Sequence, residues 1–430
     1  MNHSLLLRMW LAFVLLLALP QLAAGRARYV NPNGTCRGST PCYSDLQSAI
    51  DASAPGDQIC VQAGVYNLTN TVLVDRSVAI YGPQTGVNPL PSQGTTRSPG
   101  SAAEAVFDGG GVLGTLIRVL ADDVLIDGIE VRNGAGDLIE SVAETPTSGT
   151  RLRNCIIHDS SGDEGVQLRA VAGAVIECNY VYSTAGDALD LCCGSTDGII
   201  RFNEVRDIAS ENAALYVYGS TNTRIEGNLV DHTTQNEGIK LGAKGGGDAA
   251  GTGGIVLNNI TRDTAQDGIA IYMSHTSISC NEVTGSSSEN GAIYVAWAVS
   301  NVSVTDNFVH DNALNPGKWG IPAGITIGQD ADPTTITVSG NRLANNTPNG
   351  ITNLADPPAV LTAENNWWGS ASGPGPVGPG PGDPVSTNVD YDPWLSSPPA
   401  PSCPPIGSCP GESPTPVPSM TWGRLKTIYR

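Results

Sequence analysis

The sequence has few aromatic side chains and few charges. Aromatic residues make up 5% of the 430 positions and charged residues 15%, whereas Gly occupies 51 positions. Acidic residues outnumber basic ones by 41 to 22, which gives a formal net charge of −19. Phosphate contacts need clustered Lys and Arg, and anionic membrane surfaces attract basic segments. Nucleic acid and membrane surfaces are therefore disfavoured as partners.

The sequence also lacks an apolar run long enough to cross a bilayer, which takes roughly 20 residues. Its longest run, at 9–19, follows Arg8, ends at Pro20 and precedes small residues. A basic start, an apolar centre and small residues at the end predict a secretory signal peptide over residues 1–25. A buried helix is the alternative. We expect the mature chain outside the cytoplasm, without a membrane span.

The spacing Cys-x-x-Cys, which marks many zinc sites, is absent although the sequence contains 10 Cys. Structural disulfides are therefore the default prediction for the cysteines of an exported chain. Cys36 with Cys42, and Cys403 with Cys409, are near enough in sequence to close small loops.

What the sequence does contain is a repeat of about 24 residues. Each copy has an apolar residue three positions before an Asn and a second apolar residue two positions after it. The Asn positions are Asn179, Asn203, Asn228, Asn258, Asn281, Asn307 and Asn341. An apolar-x-apolar motif lies between them, as in Leu189-Asp190-Leu191. Each repeat thus predicts three short strands of period two, separated by turns.

So short a repeat leaves no room for a helix, and the chain must coil. Three strands per coil, stacked on the same strands of the next coil, form a parallel β-helix. Stacking places equivalent residues roughly 4.8 Å apart, so the Asn side chains are expected to form an internal ladder of hydrogen bonds. A core of stacked Ile, Val and Leu accounts for the scarcity of aromatic residues.

The ends of a stacked column need covering, because a terminal coil is an unpaired edge. Ser44 and Gln47 predict a capping box that opens a short helix through Ala52. The segments 365–369 and 390–395 contain three Trp and predict an apolar plug. The predicted divisions are a signal peptide at 1–25, an N-terminal cap and first coils at 26–125, repeats with a C-terminal cap at 126–395, and a Pro-rich linker with a basic tail at 396–430.

These motifs resemble those of the secreted right-handed parallel β-helix proteins of the pectin-lyase-like superfamily. The similarity rests on the repeat I-x-x-N-x-[IV] followed by G-I-x-[ILV], and on the closing N-N-W-W-G and D-Y-x-P-W-L. It extends from about Tyr29 to Leu395. The resemblance implies an all-β, single-stranded, right-handed solenoid with a short N-terminal capping helix. It also implies a bacterial extracellular, cell-surface or periplasmic location and action on extracellular polysaccharide. We expect a monomer.

Two long intervals between Asn positions hold insertions, at 244–254 and 313–322, on either side of the apolar-x-apolar strand. Insertions in repeats map to loops, often on the binding face, so the outward side of this strand is the predicted floor of a groove. Tyr rings on this floor suit sugars, although an ordinary face of stacked Tyr is the alternative. The predicted substrate-binding residues are Arg169, Asp190, Tyr218, Tyr294, Lys318 and Trp319.

Polysaccharide lyases of this superfamily use a Lys or Arg base to remove the proton beside a uronate carboxylate, whose charge Ca²⁺ or another cation offsets. The resemblance carries the role of base to Lys240 and that of proton donor to Tyr216 and Tyr272. Arg169 lies three coils away from Lys240, roughly 14 Å, which is too far to share one sugar ring. No floor cation is placed to favour a neutral Lys240, so a solvated Lys is the alternative.

Ca²⁺ is the candidate cofactor, with Glu164, Asp187 and Asp190 as predicted ligands, since Ca²⁺ takes several oxygen ligands. Ala213 interrupts the row of carboxylates, so solvated turn residues are the alternative. Hydrolysis needs a pair of carboxylates, and Asp190 has no acidic partner at the equivalent position of the next strands. Polygalacturonase motifs are also absent.

The sequence therefore predicts a secreted β-helix protein that engages extracellular polysaccharide along the groove. If the protein is an enzyme, a lyase is favoured over a hydrolase. The alternative is a non-catalytic cell-surface or adhesion protein.

Overall fold

The computed structural model describes residues 25–242, 251–296, 298–317, 320–400, 403–404, 407 and 409. Over these residues the chain coils through three long parallel sheets, and each strand pairs with the equivalent strands of the coils on either side. Val175–Glu177, for example, pairs in parallel with Arg151–Arg153 and with Ile199–Arg201. The predicted parallel β-helix is confirmed. Most of the predicted signal peptide, at 1–24, lies outside the described residues.

The strands are short and are named here by sheet. The first sheet, which leads into each repeat Asn, contains Cys42–Tyr43, Ala27–Val30, Gln58–Val61, Ala79–Tyr81, Leu125–Asp127, Arg151–Arg153, Val175–Glu177, Ile199–Arg201, Arg224–Glu226, Ile255–Leu257, Ser277–Ser279, Val302–Thr305, Ile336–Ser339, Leu361–Thr362 and Val389–Asp390. The second sheet, which follows each Asn, contains Gly64–Asn67, Ala105–Asp108, Glu130–Gly134, Ile156–Ser160, Tyr180–Thr184, Glu204–Ile208, Leu229–Thr233, Ile260–Arg262, Glu282–Thr284, Phe308–His310 and Arg342–Ala344.

The third sheet carries the apolar-x-apolar motifs. It contains Val72–Val74, Ile117–Val119, Ile139–Ser141, Val166–Arg169, Leu189–Cys192, Ala213–Tyr218, Glu237–Leu241, Ile269–Ile271, Gly291–Val295, Ala323–Ile327, Asn349–Asn353, Gly382–Val385 and Pro374–Pro376. Two small pairings join Thr147–Ser148 to Val171–Ala172, and Ser220–Thr221 to Gly251–Thr252. The helical segments are the α-helix Leu46–Asp51 and the 3₁₀ turns Pro91–Gln93 and Pro333–Thr335. Among the described residues, no helix has the length and apolar character needed to cross a membrane.

Strand alternation sends one or two apolar side chains per strand into a narrow core. Ile176, Ile200 and Ile225 stack in register on the first sheet, and all three are fully buried. The same alternation turns the intervening side chains outward. One continuous column of small branched residues therefore forms the interior, as the low aromatic content predicts.

The internal Asn ladder is present. The Nδ2 group of Asn179 donates to Oδ1 of Asn203 at 3.0 Å and to the carbonyl oxygen of Leu152 at 3.0 Å. Oδ1 of Asn179 in turn accepts from the backbone N–H of Cys155 at 2.9 Å. The side chains joined in this way are Asn179, Asn203, Asn228, Asn259, Asn281, Asn307, Asn341 and Asn366.

One ladder position differs from the sequence prediction, because Asn259 and not Asn258 occupies it. Val256 is the inward residue of that strand, opposite Ile225, so the repeat is displaced by one residue. Asn258 instead has a φ of 55°, and Cys178 likewise has a φ of 58° directly before its ladder Asn. The left-handed turn thus falls on the residue before the ladder, and the ladder Asn itself is not left-handed.

The N-terminal helix covers the first coil, with a cap that differs by one residue from the prediction. Asp45, not Ser44, is the N-cap, and its side chain accepts from the backbone N–H of Ser48. Gln47 does not close a capping box, because its side chain exchanges hydrogen bonds with the backbone of Leu73 in the third sheet. At the other end Trp368 is fully buried in the core, as the predicted plug requires.

The disulfides hold the C-terminal segment against the coils. Cys36 pairs with Cys42 as predicted, but Cys403 and Cys409 do not pair with each other. The remaining pairs are Cys178–Cys409, Cys280–Cys403 and the adjacent Cys192–Cys193. Cys178 and Cys280 each stand immediately before a ladder Asn, so both lie on the same ridge between the first and second sheets.

We call the described residues between Cys403 and Cys409 the C-terminal strap. Asn258 donates from Nδ2 to the carbonyl oxygen of Pro404 at 3.2 Å, and a side chain at Gly407 would collide with the Phe202 ring. The ridge from Cys178 to Cys280 spans four coil steps, about 19 Å, and six extended residues span about 20 Å. The strap therefore runs along the ridge, across the coils.

The loop at 82–104 crosses the second sheet in a similar way. A buried ion pair between Arg97 and Glu104, at 2.8 Å, fixes its shape. The backbone N–H of Ser92 donates to the carboxylate of Glu204 at 2.8 Å, several coils further along. The early coils and the central coils are thus joined by side-chain contacts as well as by sheet pairing.

The ladder makes a stability prediction. Asn228→Ala removes the acceptor of the Asn203 backbone N–H and the donor to the carbonyl oxygen of Ile200. Each buried group left without a partner costs about 1–3 kcal/mol, so we expect the free energy of unfolding to fall by about 3 kcal/mol or more. Urea denaturation measures this, with the exposed Asn70→Ala as control. A loss equal to that of the control would contradict a stabilising ladder.

Candidate functional site

The outward side chains of the third sheet form one straight column, which we call the groove floor. Register places Gln167, Asp190, Tyr216, Lys240, Ala270, Tyr294 and Thr326 on successive coils. Arg169, Cys192 and Tyr218 form a parallel column two residues further along their strands. The predicted column of outward side chains is therefore confirmed, although Asp190, Lys240, Ala270 and Thr326 are buried and Tyr216 is partly exposed. Tyr272 follows its strand directly and joins this second column, while Ala270 occupies the coil next to Lys240.

A column of carboxylates runs alongside the floor, at the point in each coil where the chain enters the third sheet. Its members are Asp137, Glu164, Asp187, Glu237 and Asp267, and the structure buries all of them. Ala213 pairs with Glu237 and leaves one gap, as the sequence indicates. The gap divides the carboxylates into two groups, one around Asp187 and the other around Lys240.

The first group brings together the three predicted metal ligands. Carboxylate oxygens of Glu164, Asp187 and Asp190 lie within 4.8 Å of one another, and all three residues are buried. Within the described residues, Glu164 Oε2, Asp187 Oδ2 and Asp190 Oδ1 have no hydrogen-bond partner. Buried polar atoms in folded proteins normally have partners, so three oxygens without partners in one buried acidic cluster indicate a place for a cation.

Gln167, which the sequence analysis did not predict as part of this group, carries a further buried oxygen beside it. Its Nε2 group donates to Asp190 Oδ2 at 2.8 Å, and its buried Oε1 has no partner among the described residues. Carboxylate and amide oxygens are the ligand types that Ca²⁺ prefers. The donor set of Glu164, Asp187 and Asp190, with Gln167 beside it, therefore fits a divalent cation.

The raised pKa values show that ionising these carboxyl groups is unfavourable when they are held together. Burial raises the pKa of Asp187 to about 6, and burial together with the neighbouring Asp163 and Asp137 raises that of Glu164 to about 11. The pKa of Asp190 is also raised, by burial and by Asp187. The group carries its full negative charge only when a positive charge joins it.

The second group surrounds Lys240, which is buried, with 7% of its surface exposed. Its Nζ lies 3.3 Å from Glu237 Oε1, 5.5 Å from the ring centre of Tyr216 and 5.8 Å from that of Tyr272. A carboxylate and two ring faces all stabilise a charged ammonium. The alternative of a solvated Lys240 is therefore wrong.

The Tyr side chains beside Lys240 differ in access. Tyr272 is only 1% exposed, and its hydroxyl has no partner among the described residues, whereas Tyr216 is partly exposed and stacks with Tyr218 at 6.0 Å between ring centres. Burial raises the pKa of Tyr216 and of Tyr272, so both keep their protons at neutral pH. Tyr216 is thus the hydroxyl that an incoming ligand can reach.

Two Arg side chains lie at the N-terminal end of the groove floor. Arg118 and Arg169 both pair with Glu140, at 2.6 Å and 3.2 Å, and Arg169 lies 3.8 Å from Asp137. Both remain partly exposed. They present positive charge beside the carboxylate group.

One sequence argument needs revision and one prediction stays open. Asp190 does have acidic neighbours, Asp187 and Glu164, because they come from the adjoining column and not from the equivalent position on the next strand. This removes one argument against hydrolysis. The predicted substrate residues Lys318 and Trp319 lie outside the described residues.

A family model described as a right handed beta helix region matches residues 111–247, 140–309 and 212–367, which together cover more than half of the chain. The chain belongs to this family, and its solenoid is right-handed. No curated protein sequence matches the chain.

Solved structures share the fold at low sequence identity. The A-module of the mannuronan C-5 epimerase AlgE4 of Azotobacter vinelandii is 14% identical, with a TM-score of 0.59 over 85% of this chain and 98% of that chain. The A-module of AlgE6 from the same organism is 13% identical, with a TM-score of 0.58 over 81% and 94%. The DFA-IIIase of Arthrobacter chlorophenolicus A6 without its lid is 14% identical, with a TM-score of 0.54 over 81% and 92%. At these identities the likeness concerns the fold alone.

Asp267 makes the stability of the fold depend on pH. Burial and the neighbouring Glu237 raise the pKa of Asp267 to about 7. A raised pKa means that the protonated form stabilises the fold, so this contribution is present below about pH 4 and is lost as pH rises through about 7. Since one pKa unit corresponds to ~1.4 kcal/mol, the loss is on the order of 4 kcal/mol.

Thermal unfolding in EDTA, between about pH 4 and about pH 8, measures this loss. Asp267→Asn should flatten the decline, because an amide oxygen still accepts from the Ser288 hydroxyl and the Gly291 backbone N–H. The exposed Asp197→Asn should keep it. An undiminished decline in Asp267→Asn would assign the pH dependence to other groups.

Proposed function

We propose that the protein binds an acidic polysaccharide along the groove floor with the help of a divalent cation. The observation that carries this proposal is the group of buried oxygens without partners on Glu164, Gln167, Asp187 and Asp190. Gln167 and Asp190 lie in the same column as Tyr216, and Glu164 and Asp187 lie in the carboxylate column beside it. A linear polymer can contact successive coils of such a column, which repeat every ~4.8 Å.

Charge supports a substrate that carries carboxylates. The chain has a net charge of −19, so an anionic polymer approaches the groove only where positive charge is concentrated. Arg118 and Arg169 remain partly exposed, and a cation held by the carboxylate group would add positive charge beside them. The two epimerase modules that share the fold are named for mannuronan, a polyuronate, which agrees with this substrate class.

Sugar rings also need an apolar surface. Tyr216 and Tyr218 lie parallel and partly exposed next to Asp190 and Lys240. Aromatic rings with hydroxyl groups contact the apolar face of a sugar and its polar edge at once. These two rings are the proposed stacking surface for a sugar adjacent to the cation.

We place this activity outside the cytoplasm. The signal-peptide pattern at 1–25 supports export, and the disulfides are of the kind that persist in oxidising compartments. The fold is shared with polysaccharide-acting proteins, which supports the same location.

A second candidate, β-elimination, is favoured by the pairing of Lys240 with Tyr216. In this reaction the proton at C5 of a uronate passes to a base, the bond from C4 to O4 breaks, a double bond forms between C4 and C5, and O4 receives a proton. A divalent cation would withdraw electron density from the uronate carboxylate and so acidify the C5 proton.

The chain's own residues divide the remaining work. Tyr216 is protonated, partly exposed and so suited to donate the proton to O4. Lys240 becomes a base only if substrate separates it from Glu237, 3.3 Å away, because the carboxylate stabilises the ammonium. Tyr272, which is buried against Lys240, holds it in place.

Binding is tested on a panel of acidic and neutral polysaccharides with CaCl₂ or EDTA. We expect tight binding of polyuronates in CaCl₂ only, and at least a tenfold weaker Kd, ~1.4 kcal/mol, in Asp187→Asn and Tyr216→Ala. Tyr81→Ala, on the outer face of the first sheet, is the matched control. Binding that is indifferent to EDTA and to both groove variants would refute the groove.

Catalysis is tested by the ultraviolet absorbance of unsaturated products from the polymers that bind. A lyase should produce this absorbance in CaCl₂, and Lys240→Ala should abolish it while Tyr81→Ala leaves it unchanged. New reducing ends without absorbance would indicate hydrolysis. Binding without any cleavage would indicate the non-catalytic surface or adhesion protein.

A further inference from the structure

A further group of carboxylates, Asp137, Asp163 and Glu164, adjoins the group of Glu164, Asp187 and Asp190 and shares Glu164 with it. Oxygens of Asp137, Asp163 and Glu164 lie within 4.8 Å of one another, the same spacing as in the group of Glu164, Asp187 and Asp190. This spacing is about twice a Ca–O bond of ~2.4 Å. Each group therefore has the size that surrounds one cation, and Glu164 is the only member that the two groups share.

Glu164 is built as a bridge between the two groups. It is more than nine-tenths buried, and its Oε2 has no hydrogen-bond partner among the described residues. A carboxylate has two oxygens, each able to bind a different ion. A single cation would satisfy one group and leave the carboxylates of the other facing each other.

The charges around Glu164 also call for two cations. The two groups contain five carboxylates, and Glu140 beside them is a sixth. Arg118 and Arg169 are the two cationic side chains that pair with these carboxylates. With all six carboxylates ionised, one divalent ion leaves two negative charges uncompensated, whereas two divalent ions bring the charge to zero. Burying an uncompensated charge is costly.

We propose that the groove holds two divalent cations side by side, bridged by Glu164. The inner ion binds Asp187 and Asp190, and the outer ion binds Asp137 and Asp163. This inference rests on the proposed function, because it takes the inner ion to be the one that the groove requires.

The two ions differ in their exposure to ligand. The inner ligands Asp187 and Asp190 are buried, whereas Asp163 is exposed. The outer ion keeps open coordination positions for water or for a substrate carboxylate, next to Arg169. Acidic polysaccharide and the outer ion should therefore strengthen each other's binding, since such coupling is reciprocal.

The experiment counts bound ions directly. EDTA-treated protein is titrated with CaCl₂ by calorimetry, and the number of ions per chain is checked by native mass spectrometry. We expect two ions in the wild type, a tight one and a weaker one. Asp163→Asn should lose the weaker ion, and Asp187→Asn the tight one. Asp197→Asn, an exposed carboxylate remote from the groove, should bind two.

Circular dichroism and thermal unfolding confirm that each variant is folded, and the exposed position of Asp163 makes its variant the least disruptive. One ion in the wild type, unchanged in Asp163→Asn but lost in Asp187→Asn, would overturn the second site and leave the proposed function intact. No bound ion would overturn both. Two ions that survive in Asp163→Asn would refute the assignment of the outer ligands.

Discussion

The structure depends on the constant register between successive coils. Because each strand pairs in parallel with the same strand of the next coil, a residue type that recurs in the repeat becomes a straight column about 4.8 Å apart. The Asn ladder enforces this register inside the turn, where Asn179 bonds both to the coil before it and to the coil after it. The core column, the acidic column and the groove floor all follow from this single constraint.

The repeat pattern predicts the architecture because only a coil can bury one apolar residue from every short strand. It also predicts the floor, since alternation fixes which side of Leu189-Asp190-Leu191 faces outward. The pattern failed at Asn258 because the neighbouring Asn259 fits equally well and Thr261 takes the place of an apolar residue. Val256 points inward and stands three residues before Asn259, and this spacing distinguishes Asn259 from Asn258.

Contacts within the site were less predictable, because they join neighbouring columns and not members of one column. Glu164, Asp187 and Asp190 were predicted as ligands from their repeat positions, and the structure brings them together. The pairing of Lys240 with Glu237, and the orientation of Gln167, depend on how side chains bend across coils. The strap was beyond reach because cysteine spacing does not give connectivity, although Cys178 and Cys280 share one repeat position.

The rigid coil explains how so many carboxyl groups remain buried together. Their mutual repulsion would drive a flexible loop apart, whereas here each backbone is fixed by pairing on both sides. Strand pairing thus holds the carboxyl groups together against their repulsion, and this gives the site its affinity for positive charge.

The C-terminal strap gives the central coils a property that stacking alone does not provide. A solenoid opens most readily from its ends, one coil at a time, because each coil contacts only its neighbours. The bonds Cys178–Cys409 and Cys280–Cys403 enclose the coils whose third-sheet strands run from Asp190 to Ala270. Local unfolding that starts at either end of the solenoid stops at these two disulfides. The part of the groove between them therefore stays folded while the outer coils open and close.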